Sequence, residues 1–360
     1  MNRIFKILLL LIFGFGLIQS TLASESTNEN KPLNVREFIL DHVSDSYEWH
    51  VTKIGEKHIS IPLPVIVYSQ TTGWHVFMSS AFHHAPIHDG LTIARAGTNK
   101  GKIVEIDASG NEVKPFDISI TKNVFSLLFS SIVLIIIILH VARSYKKEVY
   151  MPKTGFVAFM EMFIMNVNDD IIKPCVGKDY KRYAPYLLTV FFFIFINNLL
   201  GLIPIFPGGA NVTGNIAITF VLAICTFLIV NFSGTKEYWR EILWPDVPLW
   251  LKAPIPLMPV IEIVGIFTKP FALMIRLFAN MLAGHSILLG LTALVFVTVN
   301  LGPAINSSMS ILSVIFSVFI AFVELLVAYI QAYVFTMLSA VFIGLARVEP
   351  HHKPLTPKGE

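Results

Sequence analysis

The sequence predicts an all-α polytopic membrane protein with five crossings, the last two long and tilted, behind a small exported α+β segment. Three observations carry this expectation. Of 360 residues, 54% are hydrophobic and only 14% charged, with a positive mean hydropathy, a balance that excludes an ordinary soluble protein. The apolar residues gather in runs long enough to cross the ~30 Å hydrocarbon layer of a bilayer. Lys and Arg fall in short blocks between those runs rather than on one basic face, so they report topology. The net charge of +3 is too small to argue for nucleic acid.

Residues 1–23 begin with Arg3 and Lys6, continue through an apolar stretch from Ile7 to Ile18 and end in "TLA" before Ser24. That is the pattern of a cleaved secretory signal; an uncleaved first span is the alternative, and either way the following chain is exported. Residues 24–119 have the composition of a small soluble segment. "NVREFILDHV" reads as a short amphipathic helix, "HISIPLPVIVYS" as strand, and "KIVEIDASGNEVKPFDI" as a hairpin turning at Ser109, Gly110 and Asn111. Seven of the eleven histidines fall here: His42, His50, His58, His75, His83, His84 and His88. No cysteine accompanies them, so a metal is not expected. Cys175 lies in a charged loop and Cys225 in an apolar run, so no disulfide is expected.

Residues 120–347 form the membrane domain. A first span, Val124 to Val141, is followed by Arg143, Lys146, Lys147 and Lys153, which places its far end in the cytoplasm. Residues 154–166 are apolar but too short to cross and read as an interfacial helix. The cluster Lys173, Lys178, Lys181 and Arg182 holds the chain inside. A second span, Ala184 to about Leu202, leads out to the uncharged "IPIFPGGANVT", and a third, Ile216 to Val230, returns to Lys236 and Arg240. Residues 244–259, rich in Trp and Pro, read as an interfacial loop. Two apolar segments remain, roughly Val260–Val299 and Ser310–Ala346. Each would be on the order of 55–60 Å long as a helix, about twice the hydrocarbon thickness, so they must tilt or break. A bend near Lys269 and Pro270 is expected in the first. Residues 348–360 form a cytoplasmic tail.

The polar residues inside these last segments are the candidate site. Arg276 stands far from either helix end and does not shed its proton, and a charge there costs about 2.5–3.5 kcal/mol on insertion scales. Asn280 lies one turn on, with Ala279, Ala283 and Gly284 forming a small-residue surface. Glu324 and Gln331 are seven residues apart and share one stripe of the final helix. If Gln331 is level with Arg276, then His285 and Glu324 come to similar depth, where an imidazole and a raised carboxyl could pass protons. On a regular helix His285 points about 180° away from Arg276, as expected either for a path through the protein interior or for a structural histidine. Glu262, fourteen residues before Arg276, marks either an inner aqueous path or an interfacial anchor.

"TKPFALMIRLFANMLAGH", "ELLVAYIQAYVFTMLSAVF" and "NNLLGLIP" together resemble subunit a of the rotary ATP synthase membrane sector. The resemblance covers about residues 120–347, with a short echo at "NVREFILDH". It implies a non-catalytic, proton-translocating stator that offers two half-channels to a rotating ring of c subunits and is held by peripheral-stalk b subunits. It lies in the cell inner membrane with the N-terminus outside and the C-terminus inside. Arg276 matches the arginine that faces the ring carboxylates, and Asn280 and Gln331 match polar positions beside it. His285 and Glu324 match the outer half-channel pair, with acid and base exchanged relative to many bacterial members. Glu262 matches an inner-channel acid.

The resemblance implies no cofactor and no metal, and neither a phosphate loop nor a dinucleotide fingerprint occurs, so no bound nucleotide is expected. Gly201 replaces an acid found in some members, leaving Asn198, Asn211 or Asn215 to line that part of the outer path. The region from about His50 to Pro115 is an insertion relative to shorter members. The alternative class is a secondary transporter in which Arg276 binds an anionic substrate, although no repeated half with paired broken helices is present.

Overall fold

The computed structural model describes residues 35–54, 57–84, 87–94, 97–106, 112–147, 152–203, 206, 208–243 and 257–347. The expected signal peptide, the turn at residues 109–111, most of the Trp/Pro-rich segment and the C-terminal tail lie outside the described residues. The chain divides into two compact units: Met1–Val133, Asn197–Val212 and Met281–Leu326 form the first, and Leu134–Ile196, Thr213–Asn280 and Val327–Glu360 the second.

In the first unit, helix α1 (Val35–Val43) is followed by strands β1 (Glu48–Ile54), β2 (Lys57–Pro62), β3 (Pro64–Ser69) and β4 (Gly73–Met78), a single turn α2 (Ala81–His84), and strands β5 (Leu91–Ile93), β6 (Ile103–Ile106), β7 (Glu112–Val113) and β8 (Phe116–Asp117). They pair as three small antiparallel sheets, β1-β2, β4-β3-β8 and β5-β6-β7. β6 and β7 pair as the hairpin expected from sequence. Tyr47, Val65, Val67, Leu91 and Ile103 form the core. The Tyr47 hydroxyl donates to Asp117 Oδ2 at 2.5 Å. Burial first, and then this neighbouring carboxylate, raise the hydroxyl's pKa well above the usual tyrosine range.

Helix α3 (Lys122–Lys147, 26 residues) grows directly out of this segment. Asp45 accepts from Thr121 Oγ1 at 2.7 Å and from the Asn123 amide at 3.0 Å, placing a carboxylate at the positive end of the helix. Trp49 packs edge-on against Phe125 and Phe206, at 5.9 and 5.2 Å between centroids, with Lys122 Nζ 5.7 Å from its ring.

Helix α4 (Phe156–Asn166) continues through a π-helical turn, Val167–Ile172, into α5 (Lys173–Val176), where Gly177 adopts φ 76° and a 3₁₀ turn leads into α6 (Tyr180–Leu202). The charged stretch expected as a loop is therefore mostly helical. Lys173 pairs with Asp169 one turn earlier at 2.5 Å, which satisfies charge within the helix. Helices α7 (Ile216–Ser233) and α8 (Lys236–Leu243) follow.

Helix α9 (Leu257–Val297, 41 residues) runs through Pro270 without interruption, with Thr268 Oγ1 donating to the Gly265 carbonyl at 3.1 Å. The bond satisfies the hydroxyl within its own helix. Helix α10 (Pro303–Ala346, 44 residues) starts seven residues earlier than the apolar run from Ser310 indicated. Gly302, at φ 109°, ends the turn, and Pro303 opens the helix at a position where its missing N–H costs nothing. Ser308 and Ser310 bond back to the Ala304 and Asn306 carbonyls, so polar residues read as loop are accommodated in helix.

Among the described residues, five helical segments are long and apolar enough to cross a membrane. The core of the second unit joins Ile171, Ile172, Leu187, Phe191 and Ile194 to Leu273, Leu277, Phe335 and Ile343. Small residues of α10, among them Ala332, Ser339 and Ala340, are fully buried. A β-carbon at Gly344 would collide with the Cys175 carbonyl, so glycine there permits backbone contact.

Candidate functional site

Two polar constellations lie within these apolar helices, one in each unit. In the second unit, Arg276 on α9 is exposed. Among the described residues its guanidinium has neither a hydrogen-bond partner nor a carboxylate within ion-pair distance. The same unit contains a contrasting arginine. Arg347, just beyond α10, donates from Nε to Asp179 Oδ2 at 3.0 Å, again from Nη2, and from Nη1 to the Ser233 carbonyl at 3.4 Å.

One turn beyond Arg276, Asn280 Nδ2 donates to Gln331 Oε1 at 2.8 Å, while Gln331 Nε2 is buried without a partner. Gln331 is 2% exposed. Glu262, near the start of α9, is half-buried. It lies close enough to Tyr238 on α8 to raise that hydroxyl's pKa, after burial, which is the larger cause.

In the first unit, the end of α9 and the first half of α10 bring His285 and Glu324 together, with Nδ1 and Oε1 3.8 Å apart. Their side chains are 15% and 3% exposed. His285 Nε2 and both Glu324 oxygens are buried and unpartnered, a costly arrangement for groups that are inert. Gly284 permits this close approach, since a β-carbon there would lie 2.7 Å from Glu324 Oε1; at Gly201 one would rest in ordinary contact, 3.5 Å from His285 Nε2 and 3.4 Å from the Ala210 carbonyl. Gly201 is thus a neighbour of the imidazole. Asn198 and Asn211 are buried in the same unit, whereas Asn215 caps α7 by accepting from the Ala217 amide at 3.0 Å.

The sequence reading missed Ser313 and Ser317, which are 4% and 6% exposed and lie on the stripe of α10 that leads to Glu324. Ser313 Oγ donates to the Leu291 carbonyl at 2.6 Å. Hydroxyls recurring at spacings of three and four in an apolar helix were the available signal. Among the described residues no three His, Cys, Asp or Glu side chains come together in a metal-binding arrangement. In the N-terminal segment, His75 and His88 each approach Asp89 at 3.5 Å.

Fold and site define a class: an α-helical polytopic membrane protein with ionisable groups set deep in two long helices. Residues 124–344 match the family described as ATP synthase A chain, and residues 38–123 match a domain of unknown function (DUF8433). An ATP synthase subunit a 2 of Chlorobaculum tepidum is 44% identical over 245 residues, 65% of this chain and 65% of that protein. ATP synthase subunit a of Chloroherpeton thalassium is 40% identical over 251 residues, 67% of this chain and 70% of that protein. The corresponding Myxococcus xanthus protein is 39% identical over 243 residues, 66% of this chain and 75% of that one. The chain belongs to the ATP synthase A chain family, and nothing in these matches supports the anion-transporter alternative.

Proposed function

We propose that this chain is the proton-translocating, non-catalytic stator subunit of a rotary ATP synthase, working against a ring of c subunits and held by peripheral-stalk b subunits in the cell inner membrane. Its N-terminus lies outside and its C-terminus inside, with residues 1–23 a signal peptide, 24–119 exported, 120–347 the membrane domain and 348–360 a cytoplasmic tail. The observation that carries this reading is the Arg276 guanidinium, exposed on a long apolar helix with no intramolecular counter-ion among the described residues. A fixed cation left in that state is suited to an anion brought by another molecule.

A ring carboxylate reaching Arg276 is held ionised and gives up its proton towards the side on which Glu262 lies. Glu324 and His285 relay an incoming proton from the other side, reached along the hydroxyls of Ser313 and Ser317. Once protonated, the ring carboxyl turns away into lipid, since moving it charged would be prohibitive. Arg276 also blocks direct proton leakage between the two paths, because a permanent cation repels a proton in transit. Asn280, exposed and anchored by its bond to the buried Gln331, keeps the surface beside the arginine polar without adding charge.

The test is Arg276→Ala in the assembled complex. ATP-driven proton pumping in vesicles falls to background while hydrolysis by the detached head continues. Pumping that survives the substitution would remove the proposal.

A further inference from the structure

The sheet β4-β3-β8 turns one face to the core and the other to its surroundings. Val65 and Val67 are fully buried with Tyr47, Leu91 and Ile103. Strand alternation sends their neighbours to the opposite face. An antiparallel sheet with one packed face ordinarily presents polar residues on the other. Here that face is apolar in every row.

The pairing register defines the rows. Pro64 pairs with Met78, Ile66 with Val76 and Tyr68 with Trp74, while Tyr68 also pairs with Phe116. Backbone bonds from Ile118 to Ile66 and from Ile120 to Pro64 extend the third strand. Trp74 is 60%, Val76 71% and Phe116 64% exposed. A contiguous apolar surface of this kind marks an interaction site.

We propose that this face is seated in the lipid of the leaflet at which α3 begins. Ile120 lies two residues before Lys122, where α3 starts, so the Met78–Pro64–Ile120 row is nearest the membrane helix. Exposed Ile118 continues into exposed Val124 and Leu128 of α3, joining the sheet face to the lipid-facing surface of the helix. Successive rows lie about 7 Å apart, and their chemistry changes in the order of a bilayer edge. Aliphatic rows come first, then Trp74, Tyr68 and Phe116, with Tyr68 and Trp74 rings 5.1 Å apart. Tyr68 and Phe116 border a cavity lined also by Gln70, Thr71, Glu105 and Lys114, with Val113 and Pro115. Hydrocarbon, aromatic belt and water follow one another in that sequence at a membrane surface. The face carries no charge, so its entry desolvates no ion. Trp49, wedged against Phe125 and Phe206, fixes the segment at this end of α3. The inference does not depend on the proton path.

The complete complex is reconstituted in phosphatidylcholine vesicles brominated either near the carbonyls or near the chain ends, and the Trp74 signal is taken as wild type minus Trp74→Phe. Shallow bromines should quench it more than deep ones, and iodide should have little effect. Quenching by iodide without a bromolipid effect places the face in water and overturns the proposal. Shielding from both places another protein on it and also overturns it. A nitroxide on Val76→Cys, with Cys175 and Cys225 changed to Ser, supplies a second reading in case Trp74→Phe fails to assemble. Collisions with oxygen should exceed those with a water-soluble nickel chelate, and the reverse order overturns the proposal.

Discussion

Two arginines in one compact unit show opposite ways of holding a charge. Arg347 sits past the end of α10, where Asp179 and the Ser233 carbonyl occupy its donors and join chain segments far apart in sequence. Arg276 sits inside α9, exposed, with none of its donors used among the described residues. A satisfied guanidinium fastens structure. An unsatisfied one, in a segment of such low polarity, is free to act on something brought to it.

The comparison breaks if Arg276 is given what Arg347 has. Asn280→Asp places a carboxylate one turn away on α9, in reach of the guanidinium. Proton pumping by the assembled complex should fall on the order of a hundredfold, about 2.7 kcal/mol as a rate difference, since the new carboxylate competes with the incoming one for the guanidinium. Pumping at wild-type rate in that variant would show that Arg276 need not be free. Gly284→Ala comes next in size. The new methyl meets Glu324, and the strain of roughly 1–3 kcal/mol should lower pumping about tenfold. Glu324→Asp in the same chain, one methylene shorter, should recover part of the loss. A Gly284→Ala complex that pumps normally would show that the close approach of α9 and α10 does not matter.

Breaking the other arginine's pair should affect assembly rather than transport. Asp179→Asn removes a partly exposed ion pair, worth about 0.5–1 kcal/mol after solvent screening. Less complex should survive detergent extraction, while pumping per assembled complex stays unchanged; reduced pumping per complex would remove the contrast between the two sites.

The smallest effect concerns alkaline pH. Tyr47 keeps its proton more tightly in the folded segment than in the unfolded chain, because burial and Asp117 disfavour the phenolate. Below the unfolded pKa of about 10 both states are protonated and stability is flat. As pH rises above about 10 the unfolded state ionises first, so the N-terminal segment loses stability. Near-ultraviolet circular dichroism should show this loss, and Tyr47→Phe should flatten it. An unchanged slope would sever the link to Tyr47.

Much of the fold was readable from local pattern. The runs around Val124, Ala184 and Ile216 are predominantly apolar and contain no Asp, Glu, Lys or Arg, which is the mark of a membrane span. α1 and the β6-β7 hairpin followed from amphipathic and alternating patterns. Helix boundaries were read less well where polar residues satisfy themselves within a helix, as Ser308, Ser310 and Lys173 do, because composition does not distinguish a solvated serine from one bonded to its own backbone. Of the candidate site, the polar residues stood out against the apolar helices, but Gly201 looked like a missing acid rather than a neighbour of His285.

From the chain of letters alone came the class, the number of crossings and the anomalous Arg276, since hydropathy and charge act locally and leave a one-dimensional trace. Folding decided that Glu324 meets His285 beside a glycine, that Asp179 takes up Arg347 while Arg276 has no such partner among the described residues, and that a small sheet shows an apolar face beside α3. Those outcomes depend on short-range contacts between residues distant along the backbone. Dispersion, hydrogen bonding and ion pairing change steeply over an ångström or two, a scale that sequence spacing does not encode.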